Sequence, residues 1–211
     1  MTSLRHNGDL AASPDEAYLD AAREAILAVG WSRTTLTDIA RRAGVSRMTL
    51  YRRWPDTQTM LADLMTREWG HVVQAAATDG PADGSAAPSD SLDQITRGAV
   101  ATVQSLRANE LLRRIVDVDP EVLLPYLLDR RGRSQELVAE TLAALIAQGQ
   151  REGTVRAGDP VTLARSLVLA CHGFTLSAHT MADADTSPRR DAEVSRLDTE
   201  LEQLVRRYLQ P

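Results

Sequence analysis

The stretch from Thr34 to Trp54 constrains this chain more than any other. It reads as two short helices around a tight turn. Thr35 can cap the first helix, and Asp38, three residues on, completes a capping-box-like pair. Ile39, Ala40 and Ala43 fall at helical spacing, which gives that helix one apolar face. Gly44 comes where a left-handed residue would end it, and Val45 fills the corner. Ser46 is then a second N-cap, and Leu50 with Trp54 forms an i, i+4 apolar pair on the helix it opens. A helix, a glycine-containing turn and a second helix make the unit that sets its second helix into a DNA major groove.

The side chains of the second helix suit that use. Arg47, Arg52 and Arg53 supply charge for phosphates or guanine edges, Thr49 and Tyr51 supply hydroxyls, and Met48 offers an apolar contact for a thymine methyl. From Trp31 to Pro55 there are six arginines and one acid, Asp38, in a chain whose net charge is −5. A basic window on an acidic protein concentrates positive charge where phosphates would lie and keeps the remainder off the duplex. By spacing alone, an arginine-rich helix pair is equally the solvated surface of any helical protein.

The order Thr-x-x-Asp-Ile-Ala-x-x-Ala-Gly-Val-Ser-x-x-Thr-Leu-Tyr followed by x-x-aromatic, here Thr35 to Trp54, resembles the N-terminal signature of the tetracycline-repressor (TetR) family. The resemblance covers about the first quarter of the chain; beyond it, only length and helical content agree. It implies an all-α fold, with an N-terminal three-helix helix-turn-helix domain that binds DNA and a helical bundle that binds a ligand and dimerises. The DNA-facing candidates are Thr35, Thr37, Ser46, Arg47, Met48, Thr49, Tyr51, Arg52, Arg53 and Thr57. Two positions depart from the family. Trp54 stands where Phe is usual, and Thr57 stands where Lys is usual, so a phosphate contact there has a hydroxyl but no charge.

The remaining chemistry narrows the classes. At 43% hydrophobic and 25% charged, the composition is that of a globular protein with a real core. All 24 basic residues are arginine, which fits phosphate binding but is read here as coding bias, since positions far from the reader are arginine too. The single cysteine, Cys171, excludes an internal disulfide and a cysteine-type zinc site, as expected in the cytoplasm. No apolar run marks a signal peptide, and none approaches the length of a membrane span. Cys171 and His172 are adjacent and point about 100° apart on a helix, so they cannot form a nucleophile–base pair. His172 and His179 are too far apart along a helix to share a metal. No enzyme, cofactor or metal is expected.

Taken in order, residues 1–12 read as a flexible arm. Ser13, Pro14 and Glu16 start a first helix with the stripe Leu19, Ala22, Ile26 and Val29. The reader domain spans 13–56. Asp56 caps a helix over 57–77, which links the reader to a body of 57–211, and 78–90 is a Pro/Gly-rich loop. In the body, Leu92 to Ala108 is helical, Pro125 interrupts 121–130, and Ser134 caps a helix to Arg151. Asp159 caps an almost wholly apolar helix, 161–178, and an amphipathic helix closes the chain at about 189–209. The last two helices suit a four-helix interface between two copies. Leu167, Cys171, Phe174, Leu197, Leu201, Leu204 and Tyr208 are the candidates for it. By the resemblance, the body holds a small-molecule effector, with Trp69, His71, Tyr126, Arg130, His172 and Phe174 as candidate contacts. The resulting expectation is a ligand-responsive repressor that binds a palindromic operator as a homodimer. Its rivals are an effector-independent or nucleoid-associated DNA-binding protein and an all-α interaction module.

Overall fold

The computed structural model describes residues 14–78, 90–183 and 186–211. The expected arm, the Ser13 cap and most of the loop before Asp90 lie outside these residues. Every described element is a helix or helical turn, and the chain divides into two compact units between Leu64 and Met65, within the helix expected to link reader and body.

The first unit holds α1 (Pro14–Val29), α2 (Leu36–Arg42), α3 (Arg47–Arg53) and the start of α4 (Thr57–Thr78). Its core is made by Leu19, Ala22 and Ile26 of α1, Leu36, Ile39 and Ala40 of α2, Leu50 and Trp54, and Met60, Leu61 and Leu64 of α4. The small side chains Ala21, Ala22 and Ala25 on α1 let α2 pack close to it. Val29, assigned to the α1 stripe by its spacing, is exposed instead; α1 ends there, and Gly30 (φ 91°) turns the chain away.

The second unit contains the rest of α4, then α5 (Ser91–Ala108), α6 (Glu110–Val118), a 3-10 turn (Pro120–Leu123), a π turn (Pro125–Asp129), α7 (Arg133–Glu152), α8 (Pro160–Ser177), a 3-10 turn (Ala178–Met181) and α9 (Ser187–Leu209). Asp90, Asn109 and Asp159 cap α5, α6 and α8 by accepting the backbone N–H three residues on. The α7 cap differs from expectation. Gly132 is the N-cap and Ser134 lies inside the helix. Gln135 reaches back, and its Oε1 accepts the Gly132 N–H at 2.6 Å. This is the side-chain half of a capping box, which needs no hydroxyl at the cap.

One cluster forms the core of this unit: Leu92, Ile95, Ala99 and Val103 of α5, Ile146 of α7, Val155 of the loop after it, Leu163, Ala164 and Leu167 of α8, and Leu201, Val205 and Leu209 of α9. Gly149 is required where α7 meets the following loop. A Cβ there would lie 2.4 Å from Val155 Cγ2. Across the cluster, Arg107 on α5 pairs with the buried Asp198 on α9, which also accepts from Gln104 at 3.1 Å. The almost wholly apolar helix expected at 161–178 is α8: the segment Pro160–Met181 is long and apolar enough by composition to cross a membrane, but Arg165 and His172 interrupt any continuous apolar run, and Leu163, Ala164 and Leu167 within it sit in the core.

Candidate nucleic-acid interface

Local chemistry builds the two-helix unit. The Thr35 hydroxyl accepts the Asp38 N–H at 3.2 Å and donates to Asp38 Oδ2 at 2.6 Å. That hydroxyl, and then Arg41 beside it at 3.1 Å, hold the Asp38 carboxyl below its ordinary range. At the far end of α2, Val45 N–H donates to Ala40 O at 3.0 Å and Gly44 N–H to Arg41 O at 3.3 Å. These paired bonds form a Schellman turn, which needs a left-handed residue; Gly44 supplies it at φ 68°. Ser46 Oγ then accepts the Thr49 N–H at 3.2 Å and opens α3.

Leu50 and Trp54 pin the inner side of α3, with 0% and 1% of their surfaces exposed. The Trp54 indole donates to Asp63 at 2.9 Å and meets the edge of Tyr18. This leaves Arg47, Met48, Tyr51 and Arg52 exposed together on the outer side. Met48 keeps 62% of its surface exposed and Tyr51 44%, which puts an apolar and a hydroxyl-bearing side chain beside the two arginines. Arg47 and Arg52 form no ion pair with any described residue, so their guanidinium donors remain available for phosphate or base edges.

The structure separates the expected DNA-facing residues into two groups. Arg47, Met48, Tyr51 and Arg52 form one surface, with Thr37 exposed on α2. Thr35 and Ser46 serve as caps, the Thr49 hydroxyl lies 2.9 Å from Ser46 Oγ, and Thr57 is half-buried at the start of α4 behind the Asp56 cap. Arg53 is held elsewhere: its Nε donates to Asp15 Oδ2 at 2.8 Å, and its guanidinium stacks 5.1 Å from the Trp54 ring centre. Asp15 and Asp63 were not among the sequence candidates. Asp15 lies 38 positions from its partner, and no local spacing signals such a pair.

In the body, the expected ligand contacts are only partly gathered. Gln135 joins Tyr126 and His172: its Nε2 donates to the Tyr126 carbonyl at 3.3 Å and lies 3.2 Å from His172 Nε2. Arg130 is exposed and stacks on the Tyr126 ring at 5.3 Å. Phe174 is half-buried, and its carbonyl accepts from Arg107 at 3.5 Å. Trp69 is half-buried and His71 exposed on α4, without a described tie to that group. Of the expected interface residues, Leu167 and Leu201 lie inside the chain's own core, while Cys171, Phe174 and Tyr208 pack against it. Leu197 is half-buried, and only Leu204 stands out, at 54% exposed. Burial pushes the Cys171 thiol up to about 11, so it is a poor nucleophile.

A family model described as bacterial regulatory proteins, tetR family, matches residues 19–64, a span that holds α2, the Schellman turn and α3. An uncharacterized HTH-type transcriptional regulator of Mycobacterium tuberculosis is 36% identical over 160 residues, covering 76% of this chain and 79% of the relative. The chain belongs to the tetR family of bacterial regulatory proteins. It is a DNA-binding transcriptional regulator with a helix-turn-helix reader, and not an enzyme. Solved structures agree on the fold. A TetR-family regulator from Pectobacterium atrosepticum superposes with a TM-score of 0.67 at 20% identity, over 92% of this chain and 93% of that one. A transcriptional regulator from Saccharomonospora viridis, solved in complex with choline, gives a TM-score of 0.60 at 19% identity, over 93% and 97%.

Proposed function

We propose that this tetR-family regulator is a repressor that reads a palindromic operator through the outer face of α3, as a homodimer, and is released by a small molecule bound in the α5–α9 body. The observation that carries the reading is the surface of Arg47, Met48, Tyr51 and Arg52, which combines two unpaired arginines with exposed apolar and hydroxyl groups on a helix fixed from behind by Leu50 and Trp54. Arg47 and Arg52 supply phosphate or guanine contacts, Met48 a thymine methyl contact, and Tyr51 a hydroxyl. Thr35, Ser46, Thr49 and Arg53 hold the geometry, while Thr37 and Thr57 remain candidates for backbone contacts.

One protomer reads one half-site, and a two-fold pair reads two, about 34–36 Å apart. The face for pairing is Val161 (44% exposed) and Leu169 (71%) on α8, with Leu204 on α9. Exposed apolar residues of this kind mark association surfaces. An effector would act by favouring a dimer spacing that no longer fits adjacent grooves. A regulator of this kind works where the chromosome is, in the cytoplasm. Sedimentation of the protein with a selected operator tests the reading. Two protomers per palindrome are expected, with release by a small molecule that binds the protein alone; one protomer per site, or no sequence preference, would contradict it.

A further inference from the structure

Helices α7 and α8 bury large apolar side chains at one end only, Ile146 in the second half of α7 and Leu163 and Leu167 in the first half of α8. At the opposite end, the first half of α7 has no buried residue, and neither do the 3-10 and π turns between α6 and α7. Val138, Leu142 and Phe174 there are only half-buried. The one fully buried residue of α8 in that half is polar: Thr175, 9% exposed.

Thr175 Oγ1 has no hydrogen-bond partner among the described residues. Thr96, Thr141 and Ser166, by contrast, turn back onto their own helices and donate to Leu92 O, Leu137 O and Thr162 O at 2.8–2.9 Å. A buried hydroxyl without a partner is unfavourable, so an acceptor placed against Thr175 Oγ1 would relieve it. One turn before it stands His172, whose protonation the hydrogen bonds define. Gln135 Oε1 accepts the Gly132 N–H, so its Nε2 end is the donor that faces His172 Nε2. An amide nitrogen only donates, which leaves His172 Nε2 as a lone pair and the proton on Nδ1. The imidazole is therefore neutral and keeps a donor. Of the charged side chains tied to this end, Arg107 is closed by Asp198 and Arg130 is exposed over Tyr126.

We infer that the effector seats against α8 beside His172 and Thr175, where the start of α7 and the end of α8 carry half-buried side chains, and that it is an uncharged, largely apolar molecule carrying a carbonyl-type acceptor oxygen. This rests on the reading that the body binds an effector, and it adds the chemical class. Thr175 O–H and His172 Nδ1–H are the donors, and the half-buried Val138, Leu142 and Phe174 provide the apolar lining. Arg114 on α6, whose Nε is also buried without a partner, makes a carboxylate the serious rival.

The test is thermal unfolding of the purified full chain with three probes of equal chain length: 2-undecanone, undecanoate and undecyltrimethylammonium. Saturating 2-undecanone is expected to raise the wild-type Tm by about 5 °C or more, and the charged probes by much less. Thr175→Val keeps the shape and removes the hydroxyl. Without probe it should unfold no lower than wild type, and with 2-undecanone it should lose most of the shift. A larger shift with either charged probe, an undiminished shift in Thr175→Val, or no shift with any probe would overturn the inference. Release of operator DNA is measured separately with each probe that binds. A charged probe that shifts Tm and releases DNA would leave the effector reading standing and remove only the chemical class.

Discussion

Arg47 and Arg52 are the residues whose freedom matters most. Both extend from α3 without an ion pair to any described residue, whereas Arg53 is tied to Asp15 and Trp54. Arg47→Ala is therefore expected to weaken operator binding about tenfold or more, with the folded state intact. If Arg47 touches a phosphate, the slope of log affinity against log salt falls by about 1; if it reads a base, discrimination at one position is lost instead. Fluorescence anisotropy across a salt series distinguishes these. His172 gives a prediction on stability. Burial holds its pKa below the ordinary 6.5, so the unfolded chain binds the proton more readily. Its contribution is full above about pH 6.5 and is lost as the pH falls through the folded pKa. Tm should decline on acidification from about pH 7, and His172→Gln should flatten that decline. The lowered carboxyls Asp38, Asp56, Glu152 and Asp159 act in a separate window, as the pH falls below about 4.

At the scale of elements, what the sequence discloses is what short-range chemistry decides. Thr35, Gly44 and Ser46 act within three to five residues of themselves, and the reader follows from them directly. The same holds for the caps at Asp56 and Asp159 and for the break at Pro125. What depends on distant partners was hidden. Nothing near Arg53 announces Asp15, which lies 38 positions away. Periodicity named Leu167 and Leu201 as apolar but could not say that their own protomer would enclose them while Leu169 stayed outside. Gly149, a poor helix former by propensity, is fixed by a close contact that no local pattern signals. Gly149→Ala would place its Cβ 2.4 Å from Val155 Cγ2 and 3.0 Å from Ser91 Cβ. Overpacking of this sort costs about 1–3 kcal/mol, against roughly 1 kcal/mol of helix propensity gained. A net loss of about 1 kcal/mol is expected in urea titrations, read as a lower midpoint with an unchanged slope.

For the whole molecule, the proposed function joins a DNA reader to a body that would pair with a second copy through the exposed apolar residues of α8 and α9. Leu169→Glu places a charge on that surface without touching the protomer core. It should shift the sedimenting species from dimer to monomer and lower operator affinity by more than tenfold, because each half-site would then be bound alone. An unchanged dimer would move the interface elsewhere. The central claim remains that the α3 face reads a defined sequence. Selection of bound fragments from genomic DNA by the purified protein, repeated across salt concentrations, tests it most directly. The account predicts a sharp palindrome with half-sites about one helical turn apart. Binding that is weak, steeply salt-dependent and blind to sequence would contradict it.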